Sequence, residues 1–264
     1  MRVEKILVLG WFVASLFLAG LFSALGLWQI HRAQWKERLL ESYRRAAYMQ
    51  PKDLSGIVSW TENIPSRADV SDQQKLPQQV LPMRISAIGR YVKHSTLLLD
   101  NQIHQGKLGA MVYSLFIPKE SRRAVLVNRG WIALTARRTW ETNIDLDVST
   151  DEQKITGLLV PPPSVGIRLG EIKTTFDQPP RLQTLIDLDS LRKTITTPIF
   201  TGVVMLDAEN KGGFLRDWRV LPNTLTPEKH IGYAIQWFGL ALTTLLTYVI
   251  LYLRQKRNER TPTN

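Results

Sequence analysis

Residues 6–30 and 231–253 form two runs, of 25 and 23 residues, without a single charged side chain. A hydrocarbon core about 30 Å thick is crossed by roughly 20 apolar helical residues, so each run is long enough to span it. Lipid offers no hydrogen bonds to a bare backbone, which restricts each run to a helix. Aromatic residues stand near the ends of both: Trp11 and Trp28 in the first, Tyr233, Trp237, Tyr248 and Tyr252 in the second. Such amphipathic rings favour the headgroup level. The first run also has signal-peptide features, a weakly basic Met1–Lys5 and small residues at Ala24-Leu25-Gly26. It exceeds the roughly 7–15 residues of a cleavable apolar region, so we read a retained anchor.

Two spans place both termini on one side. The basic tail Arg254-Gln255-Lys256-Arg257 directly after the second span marks that side as cytoplasmic. The stretch after the first span is basic as well (Arg32, Lys36, Arg38, Arg44, Arg45). It opens a loop of about 200 residues, however, and loops of that length translocate largely regardless of charge. The expected organisation is a cytoplasmic N-terminus (1–5), a first span (6–30), a juxtamembrane amphipathic helix (31–50), an extracytoplasmic domain (51–230), a second span (231–253) and a basic cytoplasmic tail (254–264). Of the net charge of +11, residues 31–230 carry +7. Outside the cytoplasm that basicity suits lipid headgroups or carboxylate-bearing ligands, and nucleic acid is excluded as a partner. The absence of cysteine excludes disulfide frameworks, thiol nucleophiles, iron–sulfur clusters and covalently attached c-type haem.

Within residues 31–49, Trp35, Leu39 and Tyr43 recur at i, i+4 and i+8, which continues the first span as an amphipathic helix along the interface. Pro51 to Pro82 is rich in Ser, Gln, Asp and Pro and reads as loop. Strands follow. Arg84–Val92 and Thr96–Asp100 flank Lys93-His94-Ser95 as a hairpin, and Ala110–Ile117, Ala124–Ile132 and Lys154–Val160 are further apolar, β-branched or aromatic runs. Asp189–Ile195 reads as a short helix capped by Asp189, and Val203–Asp207 with Phe214–Leu221 as a hairpin around Asn210-Lys211-Gly212-Gly213. The expected fold is two transmembrane helices bracketing an extracytoplasmic α+β domain dominated by antiparallel β-sheet.

No catalytic constellation emerges. The chain has no Gly-x-Ser-x-Gly elbow, no His-Glu-x-x-His pair and no Gly-x-x-x-x-Gly-Lys phosphate cradle. Asp187/Asp189 reads as a helix cap, and Asp100-Asn101 near Gly106 and Gly109 as turn chemistry. Of four histidines, His94 and His104 fall in predicted turns and read as solvated. His31 directly follows the first span and His230 directly precedes the second. Trp28 and Trp35 lie at i−3 and i+4 of His31, while Tyr233, Ala234 and Trp237 lie at i+3, i+4 and i+7 of His230. Two readings stay open here. Interfacial His and Trp serve as anchors. Alternatively, a neutral imidazole beside flat aromatic surface suits haem iron, with Arg32, Arg216 and Arg219 available to the propionates.

At these same residues the chain becomes similar to a known family. Gly26-Leu27-Trp28-Gln29-Ile30-His31-Arg32-Ala33-Gln34-Trp35-Lys36 resembles the Gly-x-Trp-Gln-x-x-Arg-x-x-Trp-Lys pattern of the Surfeit locus protein 1 family. Val127-Asn128-Arg129-Gly130-Trp131-Ile132 resembles its strand end, and Pro227 to Phe238 its entrance to the second span. Asp100-Asn101 followed by Gly106 fits the family's Asp-Asn-Arg hairpin, with Gln102 in place of the Arg. The resemblance implies a membrane protein, without turnover of its own, that assists assembly of cytochrome c oxidase, and the short N-terminus without an Arg/Ser-rich presequence favours a bacterial inner membrane over mitochondrial import. It implies haem a as transient cargo, oxidase subunit I and haem A synthase as partners, and membrane lipid around the spans. It also implies His230 as an axial ligand to the haem iron, with Tyr233, Trp237 and Trp131 against the porphyrin and Arg129 on a propionate or buttressing a turn. His31 is not a fixed histidine of the pattern. The alternative is a scaffold that binds no haem and stabilises an immature oxidase subunit.

Overall fold

The computed structural model describes residues 2–57, 82–119, 121–141, 143–163, 174–177, 180–217 and 225–260. The chain divides into two compact units, Met1–Leu39 with Thr224–Asn264, and Leu40–Asn223.

The first unit is helical. Helix α1 (Arg2–Ala47) supplies its N-terminal part, and the last helix, Pro227–Arg260, supplies the rest. Pro227 is the first residue of that last helix, where a missing N–H costs nothing and a fixed φ is already helical. The two helices run antiparallel. Contacts descend one as they ascend the other: Gln29 meets His230, Phe22 stacks on Trp237 with ring centroids 5.8 Å apart, and Phe12 meets Tyr248 at 5.4 Å. Buried Ala19, Gly26 and Ala33 recur every seventh residue on α1, as do Ala234 and Ala241 on the last helix. That period keeps one stripe against a partner in a left-handed pair, and small residues let backbones approach closely. A Cβ on Gly26 would lie 2.8 Å from the Phe238 ring. The outward faces carry exposed Leu16, Phe17, Leu27, Ile235, Leu242 and Val249. Both helices are long and apolar enough to cross a membrane.

Among the described residues the second unit is built on seven strands: β1 (Lys52–Asp53), β2 (Met83–His104), β3 (Lys107–Pro118), β4 (Ala124–Ala133), β5 (Gln153–Val160), β6 (Leu182–Gln183) and β7 (Ile199–Leu206). Helix α2 (Leu188–Thr194) precedes β7; the last helix of the chain is therefore α3. Neighbours run β1-β2-β3-β4-β7-β5, and β5 pairs back onto β2, so five strands close on themselves. Closure removes the exposed ladder groups that an open sheet would leave at its edges. The long strand β2 makes it happen, with Met83–Gly89 on β5 and Gly89–His104 on β3. Gly89 sits where the two ladders meet, and a Cβ there would lie 2.2 Å from the Ile117 carbonyl oxygen. Among the described residues three buried clusters form. Ile85, Tyr91, Phe116, Val125, Val127, Ile155, Leu159, Phe200 and Val204 make one; Leu97, Met111, Tyr113, Leu126, Trp131, Val203 and Met205 make another, together with Leu188 and Leu191 of α2 and Ala46 of α1; Leu98, Ala110, Val112, Ile132 and Leu146 make the third.

Several expectations change. The sheet is mixed, because β1–β2, β2–β6 and β4–β7 are parallel. Strand β7 returns only after β5, β6 and α2, and a long connection imposes no antiparallel direction. Lys93-His94-Ser95 is a bulge inside β2, not a reversal, since Tyr91 faces Phe116 and Thr96 faces Ser114 on the same partner strand. Ser95 replaces the missing ladder bonds by donating to the Val92 carbonyl (2.6 Å) and accepting from the Leu115 N–H (3.0 Å). The cap of α2 is Asp187, whose carboxylate accepts from the Asp189 N–H. The hairpin expected at 203–221 does not form over its described part: Phe214 and Leu215 hydrogen-bond with Arg129 and Trp131 of β4 instead. Most of the proline-rich loop expected at 51–82, and Arg219, lie outside the described residues.

Candidate functional site

His230 lies in the first turn of α3 and is buried, with 8% of its surface exposed. Its Nδ1 is 2.7 Å from Oε1 of Gln29 on α1. An amide oxygen only accepts, so the imidazole donates from Nδ1, and in the neutral ring Nε2 keeps the lone pair. Nε2 has no hydrogen-bond partner among the described residues. On the same helix Tyr233 is exposed, and Trp237 is half-buried against Phe22. His31, Trp28 and Trp35 are all exposed on α1, and the Arg32 guanidinium lies over the Trp35 ring at 4.3 Å. Lys36, which composition alone passes over as one more surface charge, is buried on α1.

The other candidates lie in the sheet unit. Val112 of β3 faces Gly130 of β4 while the next residue, Tyr113, faces Asn128, so Arg129 is the extra residue of a bulge. The Asn128 side-chain oxygen accepts from the Gly130 N–H at 3.0 Å. Gly130 has φ +118°, and a Cβ there would lie 2.7 Å from the Leu215 carbonyl oxygen, which is why this turn of the bulge takes glycine. Arg129 itself is 3% exposed. Its Nε donates to the Gly212 carbonyl (2.8 Å), Nη1 to Leu146 O (2.8 Å) and Ser114 Oγ (3.3 Å), and Nη2 to Asp147 O (3.2 Å). The guanidinium also lies 5.0 Å over the Phe214 ring. These bonds tie the 145–147 and 212–214 segments to the sheet, as a buttress would.

Trp131 is likewise built in. Its indole N–H donates to the Gln102 carbonyl at 2.8 Å, and its ring fills the space that a Cβ on Gly109 would need. Gln102 in turn donates to the Asp100 carbonyl, and the buried Asp100 carboxylate pairs with Arg138. The Asp100-Asn101-Gln102 and Asn128-to-Trp131 segments, remote in sequence, are therefore one hydrogen-bonded assembly. Arg216 donates to the carbonyls of Asp207, Ala208 and Asn210 and holds that turn.

Burial and charge act together here. Desolvation lowers the Arg129 and Arg216 pKa values from the ordinary guanidinium range. It pushes the Tyr91 phenol up to about 12, against the opposing pull of Arg129 and Arg216, and raises Tyr113 further. The Tyr91 hydroxyl has no hydrogen-bond partner among the described residues.

The same unit holds a cavity of about 570 Å³ between the last turns of α1 and the sheet, lined by Tyr43, Arg44, Tyr48, His104, Leu158 and Arg216 among others. His104 is half-buried there with its ring 5.4 Å from that of Trp131; it is the last residue of β2, paired with Lys107, and not the solvated turn residue expected. Nothing in the sequence near His104 signals this neighbour; strand pairing creates it.

A family model, the SURF1 family, matches residues 16–242, from within α1 to within α3. The chain belongs to the SURF1 family. It is also similar to a SURF1-like protein of Drosophila melanogaster, 25% identical over 270 residues that cover 93% of this chain and 78% of the relative. The matched span contains both partners of the Gln29–His230 pair and the whole sheet unit of this family member.

The residues at the helix pair fit a haem by the chemistry of their donors. One imidazole nitrogen is held by an amide and the other retains an unshared pair, the arrangement common to iron-ligating histidines. Of the five residues singled out in the sequence, His230, Tyr233 and Trp237 lie in the helical unit, and Arg129 and Trp131 in the sheet unit with their polar groups engaged.

Proposed function

We propose that this chain is an assembly factor for haem-copper cytochrome c oxidase, which binds haem a and assists its insertion into oxidase subunit I. Family membership supports the assembly role, since the SURF1 family is generally associated with the oxidase. The observation that carries the haem reading is the buried His230 with Nδ1 fixed by Gln29 and Nε2 unshared. In this reading His230 holds the iron through Nε2, Tyr233 offers exposed ring surface, and Trp237 fixes the helix pair by stacking on Phe22. Bound haem a would supply the redox-active iron that the oxidase requires; this chain performs no turnover on it. Exposed apolar residues on both long helices support residence in a membrane, in this reading a bacterial inner membrane, and the basic tail Arg254-Gln255-Lys256-Arg257 supports cytoplasmic termini with the sheet unit outside.

The test is co-expression with the haem A biosynthetic enzymes, followed by absorption and pyridine haemochrome spectra of the detergent-purified protein, with His230→Ala alongside. Near-stoichiometric haem a in the wild type, lost or spectrally altered in the variant, is the expected result. Haem retained with an unchanged spectrum moves the ligand elsewhere. No haem in either protein, with haem a present in the same membranes, favours a scaffold that stabilises an immature oxidase subunit.

A further inference from the structure

The pairing across the helix seam reaches further than ligand identity. Gln29 is a polar amide in a stretch otherwise composed of Gly26, Leu27, Trp28 and Ile30. Beside a bilayer, such a group is retained where it has a partner, and here that partner is Nδ1 of His230 at 2.7 Å. The geometry orients the ring in two ways. Helix pairing around Gly26 and Phe238 sets the distance between the helices, and the amide oxygen sets which nitrogen carries the proton.

We infer that Gln29 is the positioning residue for His230: by accepting from Nδ1–H it holds the imidazole in the tautomer whose Nε2 is free to ligate, and it strengthens that nitrogen as a donor. The inference rests on the proposed reading of His230 as an iron ligand. Its physical basis is general. Metal-ligating histidines are commonly oriented by a group on the second ring nitrogen, which fixes the tautomer and raises ligand basicity. A carbonyl or amide oxygen does this moderately; a carboxylate in the same place does it more strongly, because it draws the Nδ1 proton further from the ring. Loss of such a partner typically weakens metal affinity by about 10–100-fold.

Two measurements on the full chain in detergent test this. The first needs no haem: nitrogen-15 spectra of histidine-labelled protein, with His230→Ala to assign the resonance. The expected signal for His230 is a protonated Nδ1 and an unprotonated Nε2, changed in Gln29→Leu. A proton on Nε2 in the wild type overturns the inference. The second is haemin titration of the wild type, Gln29→Leu and Gln29→Glu, with the reduction potential of each loaded protein. Gln29→Leu is expected to bind about 10–100-fold more weakly. Gln29→Glu is expected to restore binding at a more negative potential, a shift that a purely structural contact would not produce. Equal affinities and potentials in all three proteins overturn the positioning role while leaving His230 as ligand. Failure of the wild type to take up haemin overturns the ligand reading, and ligation by His230 with it, while the nitrogen spectra still decide the tautomer.

Discussion

Replacing Arg129 separates a structural role from a ligand-contacting one, and its cost can be worked from the contacts. Arg129→Met keeps the chain length and removes four hydrogen bonds, those to Gly212 O, Leu146 O, Ser114 Oγ and Asp147 O. A bond from a charged donor contributes about 1.5–3 kcal/mol, but not all four count in full. Gly212 and Asp147 are exposed, so water can replace the guanidinium there, and Leu146 O still accepts from the Thr96 hydroxyl at 3.2 Å. Removing the charge also relieves the desolvation that lowers the Arg129 pKa. What remains is equivalent to one or two buried bonds, a net loss of about 3 kcal/mol. For a unit of this size each kcal/mol moves the melting midpoint by about 2–4 °C, so a fall of about 6–12 °C is expected. The assay is thermal unfolding of the haem-free full chain in detergent, followed by near-ultraviolet circular dichroism, which reports on Trp131 and its neighbours. Arg129→Lys should recover less than half, because one ammonium cannot reach the same fork of acceptors. A melting point within about 2 °C of wild type, combined with weakened haem binding, would refute the buttress argument and return Arg129 to the propionate.

Three further outcomes are expected. Gly130→Ala forces a side chain onto φ +118° and into the Leu215 carbonyl, and should destabilise the sheet unit by about 1–3 kcal/mol, measured by the same melt. Tyr91→Phe removes a buried hydroxyl that has no partner among the described residues, and should raise the melting point at neutral pH. The alkaline side follows by linkage. An unfolded tyrosine ionises near 10. Tyr91 is pushed up to about 12, so its contribution to stability is complete below pH 10 and is lost as the pH climbs toward 12. Tyr91→Phe should therefore move the alkaline unfolding midpoint upward, leaving the part due to Tyr113, whose pKa burial also raises. In the helical unit, Gly26→Leu should drive a side chain into the Phe238 ring at a cost of about 1–3 kcal/mol, and Phe238→Ala in the same chain should recover much of it. Far-ultraviolet melts of the single and double variants check the coupling.

Local chemistry was enough to read the two long helices, because hydropathy over some 20 residues does not depend on what else the chain touches. The strands at 110–117, 124–132 and 154–160 were legible for a related reason: β-branched and aromatic runs between turn residues fit a pleated, half-buried surface in any fold. The address of His230 at the mouth of the second helix was also readable, and the similarity around it pointed to the SURF1 family, to which the chain belongs. Sequence alone could not pair elements far apart in the chain. That Lys93-His94-Ser95 is a bulge depends on both halves of β2 meeting one partner strand, and the parallel β4–β7 ladder depends on a return after three intervening elements. Whether Arg129 meets a propionate or buttresses a turn could not be read before the 145–147 and 212–214 segments were folded around it. The tautomer of His230 was likewise invisible, since its partner Gln29 lies two hundred residues away and meets it only across the helix pair. Composition and periodicity are properties of neighbours in sequence; hydrogen bonds and burial belong to neighbours in space, and those exist only once the chain has closed on itself.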